Sequence, residues 1–278
     1  LVVRGLAPLG KDYQALLQKG FSEGWVDVME TTGKRSGAYS TGIFGLHPYV
    51  LLNYQPTTHD VFTIAHEMGH SLHTYFSNQN QPYAKADYRI FVAEVASTVN
   101  EVLLLKYVLS TTEDVNLKKY LLAYYLDTIR TTLHRQTMFA EFEYVAHDMV
   151  EKGEALTSDN LSAAYLKLNE KYYGDGIVHD WQIAHEWSRI PHFYTSFYVY
   201  KYSTGIISAI SIASRILKEG ESAVRDYKAF LSSGGSDSPV ELLKIAGVDL
   251  TERKAFDTAM REFDDTLKEF ETLNGIEN

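Results

Sequence analysis

The stretch Thr63-Ile-Ala-His66-Glu67-Met-Gly-His70-Ser-Leu-His73 constrains this chain more than any other. His66, Glu67 and His70 spell H-E-x-x-H. On an α-helix, residues four apart point the same way, about 40° apart around the axis. Two imidazoles so placed can bind one metal ion from one helix face. Neutral imidazole suits zinc, and a catalytic zinc takes three protein ligands and a water. Glu67 follows the first His and is placed to meet the water rather than the metal, as a general base does. The flanks agree with a helix: Val61 to Ala65 leads in and Leu72 continues the apolar face. Three histidines and a glutamate on a helix that packs into a core need partners, because buried polar groups without them are costly.

The chain has no cysteine, so disulfides and thiolate ligands are excluded and His, Asp and Glu must supply any metal site. Zero cysteine is compatible with a reducing cytoplasm. Glu94 lies 24 positions after His70 in the run Phe91-Val-Ala-Glu94-Val-Ala-Ser97. A carboxylate among apolar and small residues wants a cation, which makes Glu94 the expected third ligand. Glu101, seven residues on and on the same helix face, is either a partner that steadies a ligand histidine or a glutamate with an ordinary role. The formal net charge of −10 argues against nucleic acid or an anionic membrane surface as partner. No signal peptide and no run long enough to span a bilayer are expected.

In chain order, periodicity predicts a helix over 11–23, then two short strands over 38–44 and 48–54. A free strand edge beside a metal helix can pair with an extended peptide, and a simple packed hairpin is the alternative. Thr58 or Asp60 is the expected cap of the metal helix, over 60–77. Further helices are expected over 90–109, 114–151 (kinked or broken), 158–173 with Ser158 as cap, 205–219, 223–231 and 240–246. The last should start at Asp249 or Thr251 and reach 273. No repeat or linker divides the 278 residues, so the expectation is one mainly α domain with a small sheet.

A second dense stretch runs from His179 to Gly205 and holds His192, Tyr194, Tyr198, Tyr200 and Tyr202. Hydrolysis at zinc builds an oxyanion, and neutral O–H or N–H donors aimed at it lower the barrier. An aromatic core with satisfied hydroxyls is the competing reading.

Several stretches together resemble one known family. They are Pro8-Leu-Gly10, Gly33-Lys-Arg-Ser-Gly-Ala-Tyr-Ser40, His47-Pro-Tyr-Val-Leu-Leu-Asn-Tyr54, Ala65-His-Glu-Met-Gly-His-Ser71, Phe91-Val-Ala-Glu-Val-Ala-Ser97, Arg135-Gln-Thr-Met-Phe-Ala-Glu141, Arg189-Ile-Pro-His-Phe-Tyr194, Phe197-Tyr-Val-Tyr200 and Gly234-Gly-Ser-Asp237. The chain resembles the C-terminal catalytic portion of oligoendopeptidase F, in the thimet oligopeptidase superfamily. The angiotensin-converting-enzyme pattern is close, but it carries an aspartate where this chain has Thr98.

The resemblance implies a zincin-like, mainly α catalytic domain with a small β-sheet beside the cleft. It implies one zinc held by His66, His70 and Glu94, with Glu67 as base. It implies that His192 and Tyr200 steady the oxyanion, with Tyr198 and Tyr194 as helpers, and that short peptides are cleaved in the cytoplasm. Family members are about twice as long, and their N-terminal region limits substrate size. Apolar surface that this region leaves uncovered would favour self-association. The alternative function class is therefore a peptide-binding or self-associating fragment that keeps the motif without turnover.

Overall fold

Helical periodicity dominates the chain, and a computed structural model, in which residues 1–276 are described, is mainly helical with one small sheet. The elements are α1 (Val2–Gly5), α2 (Lys11–Ser22), β1 (Val26–Asp27), β2 (Tyr39–Thr41), β3 (Tyr49–Leu51), α3 (Thr58–Asn80), α4 (Tyr83–Ala86), α5 (Ile90–Thr111) and α6 (Val115–Ile129). They continue with α7 (Arg135–Glu151), α8 (Ser158–Tyr173), α9 (Tyr200–Glu219), α10 (Glu221–Leu231), α11 (Pro239–Ile245) and α12 (Arg253–Asn274). Two compact units are formed, one from Leu1–Tyr125 with Gly205 onward, the other from Leu126–Thr204.

In the first unit, α5 explains the interior. It is apolar on every side, and Val92, Val95, Ala96, Val99, Leu103 and Leu104 are all buried. Such a helix belongs inside a core rather than on a surface. Three of its polar residues, Glu94, Asn100 and Glu101, each have a partner on α3. The sheet has the order β1-β3-β2. β3 pairs parallel with β1 (Val26↔Val50) and antiparallel with β2 (Ser40↔Val50). Trp25, fully buried, stacks on His47 at 5.3 Å. The expected hairpin is present with shorter strands, and the extended segment after Trp25 joins it as a third.

Two expected caps move by one residue. Thr57, not Thr58 or Asp60, caps α3, its hydroxyl accepting the Asp60 N–H at 3.1 Å. Asp60 returns the favour: its carboxylate accepts from the Gln55 N–H at 3.0 Å and the Thr57 hydroxyl at 2.9 Å. This reciprocal pattern fixes where the metal helix starts. Thr157, not Ser158, caps α8. The last helix starts at Arg253 because Asp249 accepts from the Thr251 N–H at 2.9 Å and holds that segment in a turn.

In the second unit, the long helical stretch is interrupted by five residues of π-helix, Arg130–His134, as a kink was expected there. The core of this unit joins Met138, Phe139 and Phe142 of α7 to Tyr165 and Leu168 of α8, with Ile190 and Val199 from the segment that follows.

Candidate metal centre and cleft

His66 and His70, four residues apart on α3, fall on one face. Gly69, between them in the sequence, is a point of close approach to α5. A Cβ there would lie 2.6 Å from Ser97 Cα and 2.7 Å from the Ala96 carbonyl, so glycine lets the two helices touch backbone to backbone. Asn100 locks the register: its side-chain N–H group donates to the Ala65 carbonyl at 2.9 Å, and its oxygen accepts the Tyr13 hydroxyl at 3.0 Å. This register carries Glu94 to the two histidines.

The Nε2 atoms of His66 and His70 are 3.1 Å apart. Glu94 Oε2 lies 3.3 Å from the first and 3.5 Å from the second. Zinc bound tetrahedrally, with ligands at about 2.0–2.1 Å, separates neighbouring ligand atoms by about 3.4 Å. The donor set therefore fits such an ion. Among the described residues, these three form the one group of His and acidic side chains close enough to hold a metal.

The electrostatics point the same way. Burial alone would lower the His66 pKa, but Glu101 and Glu94 outweigh it and raise it to about 10. Burial would raise Glu94, yet His66 and His70 hold its carboxyl well below the usual range. The carboxylates thus favour positive charge at the place where the histidines converge. Glu101 contacts His66 Nδ1, on the side of the ring away from Glu94. That contact fixes the tautomer that leaves Nε2 free for a metal.

Glu67 is 6 % exposed, and its Oε2 is buried with no hydrogen-bond partner. Burial raises its pKa against the lowering pull of His66 and His70, with smaller help from the negative charges of Glu94 and Glu101. A carboxyl held in this way is ready to exchange a proton with a group that is not part of the protein.

The group opens into a cleft of about 990 Å³ within the first unit. One wall is α3 and the start of α5; another is β2 and the loop after it. β2 pairs with β3 on one side only, so its outer edge offers unpaired backbone groups to the cleft. Ser40 Oγ lies 2.9 Å from Ser71 Oγ and ties the strand to the metal helix.

The other expected residues lie in the second unit. His192, Tyr198 and Tyr202 cluster there, with the Tyr202 hydroxyl 3.3 Å from His192 Nε2 and the His192 and Tyr198 rings 5.4 Å apart. Tyr200 is half-buried at the first turn of α9, and Tyr194 is exposed. Phe197, between them, has φ 55°, a left-handed backbone rare outside glycine. Its N–H donates to Glu143, a buried carboxylate that anchors this turn. Glu141 is engaged by Lys171 at 2.6 Å and Tyr172 at 2.8 Å, a structural role.

Comparison with known proteins places the chain. The profile of peptidase family M3 matches residues 9–262. The chain belongs to peptidase family M3. Its M3 relatives include the oligopeptidase PepF of Bacillus subtilis, 48% identical over 272 residues that cover 98% of this chain and 41% of that protein. An oligoendopeptidase F homolog of Borreliella burgdorferi is 43% identical, covering 98% of this chain and 46% of its own length. The structure of oligoendopeptidase-F from Enterococcus faecium superimposes with a TM-score of 0.77 at 39% identity, covering 99% of this chain and 43% of that one. A structure from Chlamydophila abortus gives a TM-score of 0.91 at 45% identity, covering 98% and 46%. The chain spans less than half the length of these M3 relatives.

Two residues that shape this centre were not singled out from the sequence. Ser97 donates to Glu94, at 3.0 Å to its carbonyl and 3.3 Å to its carboxylate. Asn100 sets the helix register. Gly69 carried the one available signal, a glycine between two histidines of a helix that gains nothing from glycine unless something packs against it.

Proposed function

We propose that this chain is the zinc-binding catalytic portion of an oligopeptidase that hydrolyses peptide bonds in short peptides. The observation that carries the reading is the spacing of His66, His70 and Glu94, at 3.1–3.5 Å, beside the orphaned carboxylate of Glu67. One zinc per chain, when bound by these residues, supplies a Lewis acid that acidifies water and polarises a carbonyl. Glu67 takes the proton as water adds to the peptide carbon, and then delivers it to the leaving nitrogen. Its raised pKa suits both halves of that exchange. Glu101 holds His66 in place through Nδ1. The free edge of β2 aligns an extended peptide by backbone pairing. His192 and Tyr200, with Tyr198 as helper, are the donors that steady the oxyanion. A cytoplasmic site of action belongs to the same reading and rests on the likeness to oligoendopeptidase F.

The test is metal content and turnover of a quenched peptide on one sample, wild type against Glu67→Gln. One zinc per chain in both, with turnover lost only in the variant, supports the hydrolase. A sample with no zinc in either would sink the metal assignment. A second reading, a peptide-binding fragment without turnover, draws on the fact that the chain spans 41–46% of the two curated relatives described above. Zinc bound without turnover in the wild type would favour it.

A further inference from the structure

The cleft has an apolar end. Ile43, Phe44 and Tyr83 line it and are 56%, 40% and 76% exposed. Single exposed apolar side chains are ordinary on a surface. Three that converge on a cavity shared with the metal group are not. Phe44 and Tyr83 meet edge to face, with ring centroids 5.4 Å apart and planes at 79°. The two come from different walls: Phe44 from the loop after β2, Tyr83 from the start of α4.

The direction of β2 says where this end lies along a bound peptide. Ser40 sits at Ser71, the residue after His70, and Gly42 packs on Thr74, one turn further along α3. Strand and metal helix therefore run the same way. A peptide paired to the edge of β2 meets the metal group near Ser40 and continues towards Phe44. Four residues of extended chain span about 13 Å.

We propose that Ile43, Phe44 and Tyr83 form a subsite for one apolar or aromatic side chain of a peptide, no more than four residues from the scissile bond. This rests on the peptidase reading and adds a sequence preference to it. The wall that presents Tyr83 is fixed in advance. The Gly235 N–H donates to the Lys85 carbonyl at 2.8 Å, and the Gln81 side chain donates to the Ser232 carbonyl at 2.9 Å. The Ser77 hydroxyl donates to the Ala86 carbonyl. A Cβ at Gly235 would fall 2.6 Å from the Asp87 carbonyl, so the 232–237 loop presses directly on this wall. A subsite held ready loses little freedom when it is filled.

The test uses the full-length natural protein, loaded with zinc. Phe and Ala are placed in turn at each of the four positions on either side of the cleaved bond of one short peptide. Affinity is read by fluorescence anisotropy on a Glu67→Gln background, and kcat/KM on the active protein. One position should favour Phe over Ala by about 10-fold. Phe44→Ala and Tyr83→Ala should bring that ratio near one, Phe44→Leu should keep most of it, and the Ala peptide should be handled alike by all. An unchanged ratio in the variants, or no position with a preference, overturns the subsite. So does a loss confined to thermal stability or association state, which would mean that the patch packs against another part of the protein. A ratio that follows Phe44 and Tyr83 in binding, with no turnover by the active protein, would keep the subsite and overturn the hydrolase reading.

Discussion

Glu101 shows how far the proposed metal centre extends beyond its three candidate ligands. It touches His66 Nδ1, and that contact decides which ring nitrogen carries the proton. Glu101→Gln should weaken zinc binding by about 10–100-fold while leaving the fold intact, as a chelator competition would show. An unchanged affinity would assign Glu101 a purely structural hydrogen bond. His73 belongs to the same helix but to a different physics. It is buried, it stacks on Tyr88 at 3.7 Å, and its Nδ1 has no partner. Burial, with a smaller contribution from His70, pushes its pKa from 6.5 down to about 3. The unfolded chain therefore binds a proton below pH 6.5 that the folded chain refuses until about pH 3. Stability falls as pH drops through that window. At pH 4.5 the cost is about 2–3 kcal/mol. Urea unfolding of zinc-free protein at pH 7 and pH 4.5 should show that extra loss in the wild type and not in His73→Phe. Equal losses in both would remove His73 from the account.

At the scale of elements, the contact between α3 and α5 is the decisive one. Gly69→Ala forces a methyl into the Ser97 backbone and should cost about 1–3 kcal/mol of unfolding free energy, with weaker zinc binding, because Glu94 moves with α5. A variant with wild-type stability and metal affinity would show that the helices part without consequence. Thr57→Ala should cost about 1 kcal/mol through the lost cap, readable as a lower urea midpoint.

The helices themselves were legible because their apolar spacing and their breakers, such as Pro82 and Gly174, are local signals. The caps were misplaced by one residue for a local reason too. Thr57 and Thr58, and Thr157 and Ser158, are adjacent hydroxyls of equal chemistry, and only the backbone angle picks one. His66, His70 and Glu94 could be nominated from their types and spacing. The atoms that align them could not, since Tyr13, Asn100 and Ala65 are joined only once the chain has folded.

On the scale of the whole molecule, His66, Glu67, His70, Glu94 and Glu101 all lie in the first unit, on two helices. A ligand that binds only the folded state stabilises what it binds, by about 2.7 kcal/mol at a hundredfold excess over its Kd. Zinc should therefore slow amide exchange in α3 and α5, as peptide-resolved hydrogen exchange would report. No slowing there would contradict the ligand set. The second unit carries its own core around Phe139, Phe142 and Tyr165, and the strained backbone at Phe197 is held by Glu143 of that unit.

The backbone contact at Gly69 has one more consequence. Two of the three proposed metal ligands are neighbours on one helix, but the third arrives through that contact. A chain that has formed its helices without packing them holds an incomplete donor set. Proteolytic competence on the proposed mechanism is thus tied to correct assembly rather than to helix content. On that mechanism, a copy in which α3 and α5 have parted keeps two of the three donors and loses the site.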